Sequence, residues 1–335
     1  MVRTAKFAYG SKLRSSYGLM GYRYACHKGI IEKKTGRIVR ISLEREIYMW
    51  IAKDWKDYEV IDTSKGEKLE RWGDYTLVRP DPQVIWDTPR LHKGWKKPNA
   101  HYHRSSKGGG EWEFFDLPKQ WDITYKELTF HLQPFSFKHT GLFPEQAANW
   151  DWFSEKIRSE KGRQIKVLNL FAYTGGATLA AAKAGAAVTH VDASKGMVTW
   201  AKENAVASGL GEAPIRYIVD DCVKFVEREI RRDSKYDAII MDPPSYGRGP
   251  KGEIWKIEDN IHPFIQLCTK LLSDEPLFFL LNSYTTGLQA GVLSYMISEE
   301  IGKKYGGKVE ADEIGLPVSG NGLVLPCGAS GRWER

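Results

Sequence analysis

No stretch of this sequence approaches the ~18 consecutive apolar residues of a membrane-crossing helix, so nothing in it reads as a membrane span. Cysteine is scarce. Cys26, Cys222, Cys268 and Cys327 are scattered without a CxxC pair, which argues against a disulfide framework and fits reduced thiols in a cytoplasmic protein. Metal-ligand spacing is missing too, and His101 with His103 reads as two surface histidines on one strand face. Acid is missing from residues 1–31. Of the chain's 49 basic and 42 acidic residues, eleven and three fall within 1–48, a net of +8, and the rest nearly balance at −1. Whole-chain basicity is therefore poor evidence for a nucleic-acid partner. Local clusters must make that case.

At 335 residues two domains are the natural expectation. Residues 1–48 form a basic extension: an RNA-contacting arm, an organelle-targeting peptide, or a product of an early start codon, with Met49 just ahead of domain-like sequence. A hairpin around Lys34-Thr35-Gly36-Arg37 is compatible with residues 30–43. Residues 49–140 carry short β-like runs at 58–62, 74–80, 83–86, 111–115 and 128–132. Nine of the twelve tryptophans lie between Trp50 and Trp152, which suits a small β-rich module packed on aromatics. From 141 to 335 the rhythm is strand, helix, strand, helix. Apolar runs at 165–171, 187–191, 215–219, 236–241 and 276–282 alternate with helical patterns at 177–185, 195–208, 257–272 and 288–304. That alternation predicts βαβ units and a parallel α/β sheet.

Four motifs carry chemistry. NLFAYTGGATLA (169–180) runs from strand through a turn into a helix. Gly175 and Gly176 would let backbone approach a ligand beside a helix N-terminus, although glycine serves purely steric ends in many such turns. Asp192, at the end of the second strand, suits the two hydroxyls of a ribose, against the alternative of a helix cap shared with Ser194. Asp220-Asp221 closes the third strand, where a carboxylate can accept an adenine amino hydrogen or cap the next helix. The most specific is YDAIIMDPPSYG (236–247). Proline fixes φ and has no N–H, so this stiff turn would present the Asp242 carboxylate and backbone carbonyls to a substrate. Glycine-rich, basic 247–255 would follow as a mobile substrate-facing loop.

In this order and spacing the four motifs resemble class I S-adenosylmethionine-dependent methyltransferases. The closer likeness is to bacterial 23S ribosomal RNA methyltransferases that modify cytosine C5 or guanine N7, over about 140–335. Residues 140–146, Thr-Gly-Leu-Phe-Pro-Glu-Gln, echo that family's Thr-Gly, aromatic or aliphatic pair, acid and Gln, with Glu145 where Asp is usual. The resemblance implies a doubly wound, seven-stranded, mostly parallel sheet behind a smaller N-terminal β-rich domain. It implies S-adenosyl-L-methionine as cofactor and large-subunit ribosomal RNA as substrate, without metal or membrane, and leaves monomer or dimer open. Expected cofactor contacts are Gln146, Phe171, Tyr173, Thr174, Gly175, Asp192, Ser194, Asp221 and Asp242. Expected catalytic residues are Asp242, Pro243, Pro244 and Tyr246.

Cytosine C5 methylation needs a thiolate to add at C6. In the cytosine branch a cysteine follows the fifth strand, where this chain reads LLNSYTTG (280–287); Cys327 is the remaining candidate. A ring or amine nitrogen needs no thiol, and DPPSY looks more like the N7 branch. Acid-free 88–110 supplies Lys93, Lys96, Lys97 and Arg104 with Trp95 and Tyr102 between them, a pattern suited to single-stranded RNA or to a solvated basic loop. A protein or small-molecule methyltransferase is the alternative on the same fold, and a non-catalytic RNA-binding module is a third reading.

Overall fold

The structure is a computed structural model. It describes residues 49–335 apart from 106, 107, 136, 249–251 and 253, and within 1–48 the paired dipeptides Lys33–Lys34 and Arg37–Ile38. The rest of the basic extension lies outside the described residues. Residues 1–48 and 49–335 are separate units, and every candidate site residue belongs to the second.

Strands β1 (Trp50–Ile51), β2 (Tyr58–Ser64), β3 (Glu67–Trp72), β4 (Tyr75–Pro80), β5 (Ala100–Arg104) and β6 (Gly110–Phe114) come first. β2 to β6 form a five-stranded sheet in sequence order, and β7 (Trp121–Tyr125) with β8 (Leu128–Leu132) makes a separate hairpin. One strand of the sheet is concealed in the sequence. β3, EKLERW, carries four charged residues. Lys68 and Glu70 nevertheless sit inside, because Arg79 forks onto Glu70 at 2.6 and 2.8 Å and Lys68 bridges Glu70 and Asp81 at 3.4 and 3.3 Å. Conversely, QVIW (83–86) is loop, not strand. The Asp81 carbonyl takes the Val84 N–H in a turn at 3.1 Å, and Ile85 is 91% exposed.

The larger sheet is built from β9 (Lys166–Leu170), β10 (Ala187–Asp192), β11 (Ile215–Val219), β12 (Ala238–Met241), β15 (Phe278–Ser283), β16 (Lys308–Pro317) and β17 (Val324–Glu334). Their order is β11-β10-β9-β12-β15-β17-β16, with β1 joined at the edge as an eighth short strand. β17 alone runs antiparallel to its neighbours. Helices α1 (Ala147–Ser159), α2 (Gly176–Lys183), α3 (Lys195–Ala207), α4 (Cys222–Arg231), α5 (Ile257–Thr269) and α6 (Ala290–Ile297) cover both faces. Among the described residues no helix is long and apolar enough to cross a membrane.

Two hydrophobic clusters explain the layering. One joins Trp150, Phe153, Val167, Ile240 and Phe278 to Tyr58, Trp72 and Phe130 of the β-rich region; the other lies on the opposite face around Leu168, Ile239, Phe264 and Trp333. Alternate residues of one strand feed opposite cores, as Val167 and Leu168 do, so the central strands read as unbroken apolar runs. The β-rich sheet is also tied on directly: the Val60 carbonyl takes the Ser319 N–H at 2.9 Å just beyond β16.

Candidate active site

At the carboxyl ends of β9, β12 and β15 a crevice opens, lined among others by Phe143, Gln146, Asn169, Phe171, Tyr173, Thr174, Asp242 and Asn282. In open α/β sheets, ligands bind at such strand ends. The turn after β9 is backbone under constraint: Phe171, Tyr173 and Gly175 have φ of 55°, 50° and 90°. Non-glycine residues persist there only when their surroundings hold them. The holders are the Cys222 Sγ, which accepts the Phe171 N–H at 3.3 Å, and Asp192, which accepts the Tyr173 N–H at 2.9 Å. The other Asp192 oxygen takes the Ser194 N–H at 2.8 Å. Burial raises the Asp192 carboxyl above its usual range.

Gly175 and Gly176 are also required by internal packing, and Gly176 lines the crevice. A Cβ on Gly175 would lie 2.9 Å from Ala201 Cβ on α3, and one on Gly176 would lie 2.6 Å from Trp150 Cζ2. Asp221 caps α4, accepting the Lys224 N–H at 3.0 Å, and Ser194 caps α3 through the Met197 N–H at 3.4 Å. A carboxylate has lone pairs to spare beyond one cap. Asp220 instead pairs with Arg228.

Asp242 sits at the end of β12. Burial, then the charge of Glu145, pushes its carboxyl up to about 7. Beside it runs a polar network of which the sequence motifs signal only Gln146. The Gln146 amide donates to the Tyr284 hydroxyl at 2.7 Å and accepts from Asn149 and Asn282 at 2.9 and 3.1 Å. Arg332 donates to Asn149 Oδ1 at 2.7 Å and lies 3.5 Å from the Trp50 ring centre. Asn282 lies in β15 and Tyr284 just after it, in the LLNSY stretch whose sequence signals only the lack of a thiol.

The S-adenosylmethionine-dependent methyltransferase profile matches residues 93–259. The solved S-adenosylmethionine-dependent methyltransferase of Agrobacterium tumefaciens is 39% identical, with a TM-score of 0.78 over 83% of this chain and 90% of that one. This chain belongs to the S-adenosylmethionine-dependent methyltransferases. Curated relatives include the ribosomal RNA large subunit methyltransferase K/L of Shewanella frigidimarina, 32% identical over 170 residues, which are 50% of this chain and 23% of that protein. The Cellvibrio japonicus protein of that name is 28% identical over 216 residues, 63% of this chain and 27% of its own. The chain thus spans about a quarter of the length of the curated relatives it matches.

The residues of this methyltransferase fit its cofactor. Gln146, Asn282 and Asp242 would supply the polar groups a methionine moiety needs, and Asp192 and Asp221, at the next two strand ends, would face ribose and adenine. When bound, S-adenosylmethionine supplies an electrophilic methyl group.

Three expectations about the substrate side change. The Pro244 carbonyl is not free, because Trp255 Nε1 donates to it at 2.7 Å. The 247–255 stretch includes most of a paired hairpin, β13 (Tyr246–Arg248) with β14 (Ile254–Lys256), which presents a half-exposed Tyr246. In the basic 88–110 segment Lys93, Lys96, Lys97 and Arg104 are exposed, but Tyr102 is buried at 4%. Trp95 is engaged internally, donating to Asp62 at 2.8 Å beneath Arg90, whose guanidinium lies 4.1 Å from the ring centre. Both rings thus take part in the module's own packing, Tyr102 buried and Trp95 half-buried beneath Arg90.

Proposed function

We propose that this methyltransferase modifies a ring or exocyclic nitrogen of a base in large-subunit ribosomal RNA, in the cytoplasm. The observation that carries the reading is Asp242, a half-buried carboxyl on a stiff Pro-Pro turn lining the cofactor crevice, which burial and then the charge of Glu145 push up to about 7. A base nitrogen needs only in-line alignment with the methyl carbon: the N–C bond forms as the S–C bond breaks. A ring nitrogen gains positive charge in that step, which the Asp242 carboxylate offsets; an exocyclic amine sheds a proton, which Asp242 accepts. The matched relatives' names favour RNA over a protein or metabolite.

Cytosine C5 chemistry is disfavoured. Burial, then Glu145, raises the Cys327 thiol well above its ordinary value, so it stays protonated at neutral pH. Incubation with labelled S-adenosylmethionine and unmodified 23S RNA, followed by nucleoside mass spectrometry, should show a methylated purine or amine nitrogen. Asp242→Ala should abolish it. Label in protein or small metabolites with RNA untouched rejects the reading.

A further inference from the structure

The link from β8 to the Thr140–Gln146 segment at the crevice is described at residues 133–135 and 137–140. The link closes on itself, with the Gln133 N–H on the Thr140 carbonyl at 3.2 Å and the Phe135 N–H on the His139 carbonyl at 3.4 Å. It is pinned to β4 from both sides. Arg79 Nη1 donates to the Lys138 carbonyl at 2.8 Å, and Lys138 Nζ donates to the Pro80 carbonyl at 3.0 Å.

Four basic side chains converge here, and their partners differ. Arg79 is satisfied by Glu70, and Lys68 by Glu70 and Asp81. Lys138 is half-buried, yet among the described residues its ammonium has only the Pro80 carbonyl and no carboxylate within ion-pair distance. The His139 ring, also half-buried, lies 5.4 Å from the ring of Phe143. Phe143 lines the crevice with Asp242, and its ring is 5.5 Å from Tyr173 and 5.8 Å from Tyr284. Lys138, with no carboxylate in ion-pair distance among the described residues, thus directly precedes His139, whose ring packs on Phe143 of the crevice.

We propose that Lys138 and His139 form the subsite for a phosphate of the target nucleotide, with Phe143 standing between that phosphate and the reacting base. The inference rests on the RNA-base reading above and places the RNA contact on Lys138 and His139 instead of the basic 88–110 segment. Lys138 shares the cluster with Lys68 and Arg79 against only two carboxylates, Glu70 and Asp81, so one positive charge is in excess, and an incoming phosphate oxygen supplies the missing counter-charge. The titration behaviour agrees. Burial, then Lys68, lowers Lys138 to about 8. Burial, then Arg79, Lys138 and Lys68, holds His139 down to about 4. A bound phosphate opposes those three cations, so it must raise the proton affinity of His139.

The test uses the full chain. Binding of a fluorescein-labelled single-stranded RNA heptamer is followed by anisotropy across a salt series for wild type, Lys138→Gln and Lys138→Arg. His139 is titrated by NMR, with its signal assigned by loss in His139→Gln, in the presence of guanosine 5′-monophosphate or guanosine. Lys138→Gln should weaken RNA binding about tenfold. It should also flatten the salt dependence by about 0.7 in the log–log slope, one phosphate contact on a single strand, with Lys138→Arg recovering both. His139 should titrate higher with the nucleotide and not with the nucleoside. The thermal shift produced by S-adenosylhomocysteine checks that each variant is folded. Equal affinity and slope for Lys138→Gln, or equal His139 shifts with nucleotide and nucleoside, overturns the subsite. If wild type binds neither RNA nor nucleotide, the RNA-base reading itself falls, and the subsite with it.

Discussion

The indole of Trp255 donates its Nε1–H to the Pro244 carbonyl at 2.7 Å, fastening the β13–β14 hairpin to the Asp-Pro-Pro turn. Trp255 also packs on Phe171 and Phe264, with ring centres 5.1 and 5.7 Å away. One side chain therefore links the cofactor turn, the substrate turn and the hairpin. Trp255→Phe keeps most of the packing and deletes the hydrogen bond, worth about 1 kcal/mol. The expected result is a roughly fivefold fall in kcat with little change in S-adenosylmethionine affinity, read by steady-state kinetics beside calorimetry.

The Asp242 carboxyl, raised to about 7, gives the reaction an acid limb. The ionised form offsets charge or accepts a proton, so the rate should rise as pH climbs through about 7 and level off above it. Glu145 contributes to that raised value through its own negative charge, so Glu145→Gln removes the repulsion and should move the limb to lower pH. Asp242→Asn has no ionisable group and should lose about 10²–10³-fold in kcat, in line with removal of one electrostatic stabiliser. A kcat–pH profile for all three proteins decides the point; an acid limb that Glu145→Gln leaves in place counts against the coupling.

Gly176 has no room for a side chain, since a Cβ there would meet Trp150 Cζ2 at 2.6 Å. Trp150 is itself packed by Phe130 and Tyr125, with ring centres 5.5 and 5.8 Å away, and cannot easily yield. Gly176→Ala should cost about 1–3 kcal/mol by overpacking. Urea denaturation should show a lower midpoint at unchanged slope.

The sheet was legible where apolar runs are unbroken, because strands buried on both faces need no alternation. AIIM of β12 and FFLLNS of β15 are buried at every position. Legibility failed where charge is buried with its partner. EKLERW reads as solvent-exposed until Arg79, nine residues on, is seen to neutralise Glu70, whose carboxyl burial would raise but Arg79 and Lys68 hold down at about 2. The C-terminal hairpin β16–β17 escaped for the same reason: Arg332, an interior residue of β17, is buried between Trp50 and Trp152. In the site, Asp242 announced itself through the two prolines that follow. Asn149, Asn282 and Tyr284 did not, because their importance lies in contacts with Gln146 and Ser330 that span up to 181 positions of sequence. The packing of Trp95 and Tyr102 was not legible because composition records which rings are present and not which are already occupied.

Asp192 is suited to two tasks that a pair of substitutions can separate. Its oxygens take the Tyr173 and Ser194 N–H groups at 2.9 and 2.8 Å, which shapes the turn, and each keeps a lone pair that a ribose hydroxyl can use. Asp192→Asn keeps one acceptor but sets an amide NH₂ against a backbone N–H, while Asp192→Ala removes both acceptors. If ribose binding draws on the carboxylate, both variants should weaken S-adenosylmethionine by about 10–100-fold, a hydrogen bond to a charged group being worth roughly 1.5–3 kcal/mol. S-adenosylhomocysteine should weaken in parallel, since it shares the ribose, whereas methionine alone should compete as it does in wild type. Calorimetry with the three ligands separates the tasks. Parallel loss of methionine binding would assign Asp192 to holding the turn alone.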